Sequence, residues 1–227
     1  MKTKLSIVIP CYKQANYLVQ AIESILSQTI KPHEIIVVID GSPDDSLQIA
    51  KSYESRGIRV INQVNKGLAS ARNTGIMWAT GEFVLPLDSD DILLENCLEK
   101  IEAKVEETNA DIVGLSFKEF GLSTRQVILM PNPMIQDFMT ANRIGYCSAV
   151  RRSALLEVGG YNPKMIWGYE DYDLWFDLLK RGKTLVTIPE IVWLYRTKEN
   201  SMLTESVKHD AELRAQIVKN HPEIFHA

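Results

Sequence analysis

An α/β domain on a mostly parallel sheet is what this sequence predicts, and three observations carry the expectation. Residues 5–9 and 35–39 are continuous β-branched and apolar runs, the pattern of strands buried on both faces. Apolar residues at helical spacing separate such runs, giving the strand–helix–strand order of βαβ units. Several runs end in proline or acids, which belong past a buried strand's end because charge loses hydration where apolar surface gains by leaving water. In an open α/β sheet that end is where ligands bind. The chain's 227 residues, 45% hydrophobic and 24% charged, suit a single soluble domain. A net charge of −4 gives no basic footprint, so nucleic acid is not an expected partner.

The elements follow in order. Pro10 stops the first strand by removing a ladder donor, and a helix capped by Asn16 presents Leu18, Ala21, Ile22, Ile25 and Leu26 to the core. The second strand ends at Asp40, Gly41-Ser42-Pro43-Asp44-Asp45 forms a loop and helix start, and Arg59-Val60-Ile61 is a third strand. Asn65-Lys66-Gly67 opens a helix through Leu68, Ala71, Gly75, Ile76 and Ala79, with Arg72 and Asn73 as polar exceptions and Gly81 as its stop. Residues 82–87 make a fourth strand that runs into Asp88-Ser89-Asp90-Asp91. Asp91 reads as the cap of an amphipathic helix carrying Leu94, Cys97, Leu98, Ile101 and Val105. Residues 111–117 and 126–130 read as strands joined across Gly121.

Beyond Pro131 and Pro133 the pattern is less regular. A strand over 147–150, a short helix over 154–158 and a turn at Gly159-Gly160-Tyr161-Asn162-Pro163 are expected. Glu170-Asp171-Tyr172-Asp173 feeds a helix with Leu174, Trp175, Leu178 and Leu179, its acids complementing the dipole and Gly182 ending it. A late strand over 192–195 and a terminal helix over 204–219 complete the chain.

Cys11, Cys97 and Cys147 are odd in number and far apart, which reads as reduced thiols in a cytoplasmic protein. No leader pattern follows Met1, and no apolar run approaches the ~20 residues that span a bilayer. Peripheral contact with the inner membrane face stays open. His33, His209, His221 and His226 show no ligand spacing.

Alternate acids Asp88 and Asp90 in a loop can converge on one hard cation through oxygen ligands. Asp40 can hydrogen-bond a base or ribose, or cap a turn, and Tyr12 can stack on a base or sit as a half-buried aromatic. Neither Gly-x-Gly-x-x-Gly nor Gly-Lys-Ser/Thr occurs, which counts against dinucleotide and Walker-type phosphate binding.

Taken together, Ser6-Ile7-Val8-Ile9-Pro10-Cys11-Tyr12, residues 34–42, Asn65-Lys66-Gly67 with Ala71-Arg72-Asn73, Leu87-Asp88-Ser89-Asp90-Asp91, Gly159-Gly160-Tyr161 and Glu170-Asp171-Tyr172-Asp173-Leu174-Trp175 resemble a family 2 glycosyltransferase of the GT-A type. The resemblance covers most of residues 4–196, and its specificity lies in the order and spacing of short motifs. It implies one glycosyltransferase domain over 1–227, with a nucleotide-sugar-binding half to about 130, an acceptor-side half to about 203 and a C-terminal helix beyond.

By that resemblance Pro10 and Tyr12 line the base pocket, Asp40 binds the uracil of a uridine-diphosphate sugar, and Gly67 lets the backbone pass close to the diphosphate. Arg72 neutralises acids or holds the donor, Asp88 and Ser89 face ribose and sugar, and Asp90, with Asp88 beside it, binds a divalent cation, Mn or Mg. Asp171 is the implied general base of an inverting transfer, with Glu170 either supporting the site from behind or contacting the acceptor. Trp167 is placed to stack on an acceptor sugar or to fill core. Many relatives carry a histidine shortly after the late Tyr-Arg pair; here Tyr195-Arg196 is followed by Lys198, which can contact the diphosphate but cannot ligate a metal while protonated.

The implied partners are a nucleotide-sugar donor and a carbohydrate or lipid-linked acceptor, in polysaccharide or glycolipid synthesis. A sugar-nucleotide-forming nucleotidyltransferase is the main competitor, although Pro10-Cys11-Tyr12-Lys13-Gln14 lacks the glycine- and basic-rich loop it needs. A non-catalytic nucleotide-sugar-binding module is the other.

Overall fold

In a computed structural model, described for residues 3–199 and 201–225, three strands with two helices between them open the chain. They are β1 (Leu5–Cys11), α1 (Ala15–Leu26), β2 (Glu34–Asp40), α2 (Ser46–Ser52) and β3 (Ile58–Gln63). Then come α3 (Leu68–Trp78), β4 (Phe83–Pro86), β5 (Ile92–Leu93), α4 (Cys97–Thr108), β6 (Ile112–Gly121) and β7 (Gln126–Val127). The remainder is α5 (Ile135–Phe138), β8 (Ser148–Arg151), α6 (Arg152–Val158), α7 (Glu170–Leu179), β9 (Leu185–Thr197), α8 (Met202–Lys208), α9 (Asp210–Asn220) and α10 (Pro222–Phe225).

The strands form one sheet in the order β3-β2-β1-β4-β8-β6-β9-β5, with β7 on β6. The first four are parallel, with Ile7 opposite Ile35 and Val8 opposite Pro86. Beyond β4 the pairing is mixed, since β8 is antiparallel to both its neighbours while β6 and β9 run together. The expected mostly parallel character is thus carried by β3-β2-β1-β4 and by the β6–β9 pair, with antiparallel pairing at β4–β8, β8–β6, β6–β7 and β9–β5. All seven residues of β1 are buried, so its side chains serve both faces. Ile7 and Ile9 pack with Leu18, Ile22 and Ile25 of α1 and Leu98 and Ile101 of α4. Val8 packs on the other face with Ala71 and Ile76 of α3 and, further along, Leu174, Trp175 and Phe176 of α7. Each fully buried aliphatic of this kind contributes about 1.5–3 kcal/mol.

Two glycines explain close approaches that the site depends on. A Cβ on Gly75 would lie 2.1 Å from Val8 Cγ1, so α3 can sit against β1 only with glycine there. Gly160, at φ +78°, would place a Cβ 2.3 Å from Asn73 Oδ1. Asn73 instead clamps that turn, its amide nitrogen donating to Tyr161 O at 2.7 Å and its oxygen accepting from Tyr161 N at 2.8 Å.

Several boundaries differ from expectation. Gln14, not Asn16, precedes α1. Asp91 caps no helix: β5 follows it, and α4 starts only after Asn96. The late strand is a 13-residue β9, not 192–195, because Pro189 and Glu190 are absorbed where the β6–β9 register shifts between Leu115 and Ser116. Both are exposed, so the missing proline N–H costs no buried ladder bond. The terminal helix is three helices, starting earlier because Ser201 Oγ accepts from Thr204 N at 3.3 Å and turning at His209. The three cysteines are buried and free.

His221 was not marked by its spacing, yet it is 1% exposed and locks the C-terminal helices onto α7. Its Nε2 pairs with Asp173 Oδ1 at 3.0 Å, and Asn220 and Asn162 donate to the same carboxylate at 2.8 and 3.0 Å. Burial pushes this carboxyl up, but hydrogen bonds from His221, Asn220 and Asn162 hold it below its usual value. Its contribution to stability is therefore present above the unfolded carboxyl pKa and lost as pH falls through the folded one. His221→Ala is expected to cost about 1–3 kcal/mol in urea unfolding at pH 7, a deficit that narrows below about pH 4.

Candidate active site

The carboxyl ends of β1, β2 and β4 open into a cleft of about 850 Å³, the size range of small-molecule sites. Eight of the residues singled out from the sequence line it together: Pro10, Tyr12, Asp40, Gly67, Asp88, Ser89, Asp90 and Lys198. Tyr12 is 42% exposed, its ring available to a ligand. Asp40 is 3% exposed and ties β2 to the start of α3. Its Oδ1 accepts from Gln63 Nε2 at 2.7 Å and Lys66 N at 2.9 Å, and its Oδ2 from Gly67 N at 2.8 Å. The turn-capping role is thus realised, with acceptor capacity left on Oδ2.

Arg72 is not among the cleft-lining residues. It is 1% exposed beneath the floor, between the rings of Tyr146 and Tyr161 at 4.7 and 5.3 Å. One terminal nitrogen bonds Asp88 Oδ1 at 2.7 Å and the other bonds Glu170 Oε1. Of its two implied roles, neutralising acids is the one its position allows, since a buried guanidinium facing two carboxylates has no opening toward a ligand. Among the described residues its Nε has no hydrogen-bond partner, and the Tyr146 and Tyr161 rings lie against the guanidinium.

Glu170 is therefore turned inward, 5% exposed against Arg72, and not toward an acceptor. Asp171, the next residue, is partly exposed and held by Asn142 Nδ2 at 3.0 Å. Burial, and then the neighbouring Glu170 charge, push Asp171 up to about 7, with Arg72 opposing. Burial and then the charges of Asp90 and Glu170 push Asp88 up to about 6 against the pull of Arg72. Asp171 belongs to the same electrostatic neighbourhood as the strand-end acids. The Tyr195 hydroxyl is raised by burial and then by Asp91, Asp88, Asp90 and Asp171 together. The chain enters α7 through Tyr169 at φ +60°, a left-handed non-glycine residue of the kind strained turns use next to functional groups.

Asp91, 1% exposed, accepts from the Tyr146 hydroxyl and from Arg196 N at 2.7 Å. Arg196 also donates to Asp90 O at 2.8 Å from between the Tyr17 and Phe120 rings. These bonds pin the Asp88–Asp91 loop to the end of β9. Lys198 Nζ lies 2.6 Å from Asp90 Oδ2 and 3.1 Å from Gln14 Oε1. Asp90 Oδ1 and Asp88 Oδ2 accept no hydrogen bond among the described residues, and oxygen donors of this kind suit a hard divalent cation. Trp167 lines the cleft with Ile166 and Met202, one ring face stacked on His209 at 4.6 Å; Trp175 is core.

A second cluster, Asp173, Asp177 and His221, has ligand-type atoms close enough for a metal. The Lys180 ammonium already sits there, 2.9 Å from Asp177 Oδ1 and 3.0 Å from His221 Nδ1.

Comparison with known proteins gives the family and the fold. The family description "Glycosyl transferase family 2" matches residues 6–159. The chain belongs to glycosyl transferase family 2. Within that family, EpsE of Bacillus subtilis, whose name carries a provisional glycosyltransferase assignment, is 33% identical over 211 residues, covering 87% of this chain and 74% of EpsE. The glycosyltransferase GlyG of Streptococcus pneumoniae is 43% identical over 116 residues, 50% of this chain and 38% of GlyG. The chain thus spans less than half the length of some relatives it matches. The structure of Staphylococcus aureus TarS 1–349 in complex with UDP superposes with a TM-score of 0.77 at 18% identity, covering 96% of this chain and 71% of that one, a likeness of fold. The GT-A type α/β fold expected from the family 2 motifs is the fold observed.

No pattern in the sequence assigns Tyr146, Asn142, Gln14 or Arg196 a role at this site. Only Arg196 had a signal, as the second half of the Tyr-Arg pair.

Proposed function

We propose that this chain transfers a sugar from a uridine-diphosphate donor to an acceptor hydroxyl with inversion at the anomeric carbon. The observation that carries the reading is the convergence of Asp88, Asp90 and Lys198 on one cleft wall, with Arg72 tying Asp88 to the helix start that bears Asp171. The UDP complex of the similarly folded TarS supports a uridine nucleotide in the equivalent cleft. In this reading Tyr12 and Pro10 hold the base, Asp40 Oδ2 accepts from the uracil imide, and the backbone at Gly67 passes the diphosphate. Asp88 and Ser89 face ribose and sugar.

A divalent cation, Mn or Mg, held by Asp90 and Asp88 would supply electrostatic stabilisation of the departing diphosphate. Lys198 supplies a second positive charge on that side. Asp171 takes the proton of the acceptor hydroxyl as its oxygen bonds to the anomeric carbon and the bond from that carbon to the diphosphate breaks. A single displacement with one base gives inversion. Glu170 acts on Asp171 through its charge and on Arg72 through their ion pair. Acceptors are carbohydrate or lipid-linked, entering along the rim of Trp167, Ile166 and Met202. Among the described residues no helix is long and apolar enough to cross a membrane, and a cytoplasmic setting with peripheral membrane contact suits such acceptors.

A screen of nucleotide sugars against an acceptor panel, read as nucleoside diphosphate release, tests this. Uridine-linked donors are expected to turn over. Pyrophosphate release from a nucleoside triphosphate plus sugar phosphate would replace the reading with nucleotidyl transfer.

A further inference from the structure

Lys198 closes a cation site with its own side chain. Its ammonium meets the Asp90 carboxylate at 2.6 Å, the Gln14 carbonyl oxygen at 3.1 Å and the face of the Tyr17 ring at 5.1 Å. A carboxylate, a neutral oxygen and an aromatic face together make a complete environment for a cation. The backbone on both sides is fixed independently of this contact. Arg196 N bonds Asp91, and its guanidinium bonds Asp90 O and Gln20. The flexible four-carbon stem of Lys198 can therefore leave Asp90 while loop and strand stay in place.

We propose that Lys198 is a tethered counter-cation of the donor site. It competes with a divalent cation for Asp90, and its charge serves the donor diphosphate whether or not a metal has displaced it. The proposal rests on the nucleotide-sugar reading above. A protonated lysine offers no lone pair to a metal, and two like charges a few ångströms apart in a partly buried site are weakly screened by salt. Ammonium and divalent cation therefore exclude one another at Asp90. The same ammonium gives the protein positive charge for a diphosphate when no metal is present. Removing it acts in opposite directions on the two ligands, tightening metal and weakening metal-free nucleotide.

The experiment titrates the full chain with Mn2+ alone, followed by electron paramagnetic resonance of the free ion, and with UDP in excess chelator, followed by calorimetry. Lys198→Met is expected to bind Mn2+ at least tenfold more tightly than wild type and UDP in chelator at least tenfold more weakly. Lys198→Arg, which keeps the charge, should resemble wild type, and Asp90→Asn should lose the Mn2+ site; melting curves establish that each variant is folded. Unchanged, weakened or unmeasurable Mn2+ binding by Lys198→Met overturns the proposal. If UDP still binds in that case, the nucleotide-sugar reading survives. Absence of UDP binding by every protein, with and without Mn2+, removes that reading instead.

Discussion

Asp171→Asn is expected to slow sugar transfer by about 10²–10⁴-fold while leaving UDP affinity within about twofold, measured by turnover and calorimetry on the same preparation. The asymmetry follows from position. Asp171, partly exposed and held by Asn142 at the α7 start, does not line the cleft, so under the proposed function its loss removes the proton acceptor and leaves the proposed nucleotide wall intact. A base raised to about 7 works only when ionised, so wild-type transfer should climb between about pH 6 and 8 and then flatten. The variant should lack that limb. The same shift has a stability consequence of opposite sign. A carboxyl whose folded pKa lies above its unfolded value contributes stability fully below the unfolded pKa and loses it as pH rises through about 7. Asp171→Asn should therefore melt higher than wild type at pH 8, a signature of a charge kept for chemistry at the expense of the fold.

Arg72→Met is expected to destabilise the protein by about 3–5 kcal/mol in urea unfolding and to abolish transfer. Removing this guanidinium leaves Asp88 and Glu170 facing one another without their shared cation, in a place where Arg72 itself is 1% exposed. Lysine should rescue little, because a single ammonium cannot reach two carboxylates as a fork while lying between the Tyr146 and Tyr161 rings. Combining Arg72→Met with Glu170→Gln should recover part of the stability, since it removes one of the stranded charges, but not the activity. An additive outcome would separate the two residues, whereas the geometry makes them one unit.

Arg72 also marks the limit of what local sequence pattern encodes. Helix α3 was legible from its apolar spacing, and two of the polar exceptions in it, Arg72 and Asn73, were visible as exceptions. Their targets were not. Glu170 lies 98 residues away, and Asn73 reaches Tyr161 across 88. Such pairs depend on α3 packing against β1 at Gly75 and on α7 arriving beneath the same strand ends, which local pattern does not encode. Asp91 is the converse case. It follows an acid cluster and precedes an apolar helix, so capping was the natural local reading, but the Tyr146 hydroxyl and Arg196 N claimed its carboxylate. The strand ends themselves were legible because acids cannot stay in a buried strand. That places Asp40, Asp88 and Asp90 at one end of the sheet from the sequence alone. β9 was half hidden because an exposed Pro-Glu bulge resembles a strand break.

The most direct test of the account is a calorimetric titration of UDP into wild type and into Asp90→Asn, each with Mn2+ and with excess chelator. Saturable one-to-one binding that is tighter with Mn2+ in wild type, and indifferent to Mn2+ in Asp90→Asn, is the expected result. Equal and negligible binding under all four conditions would contradict it.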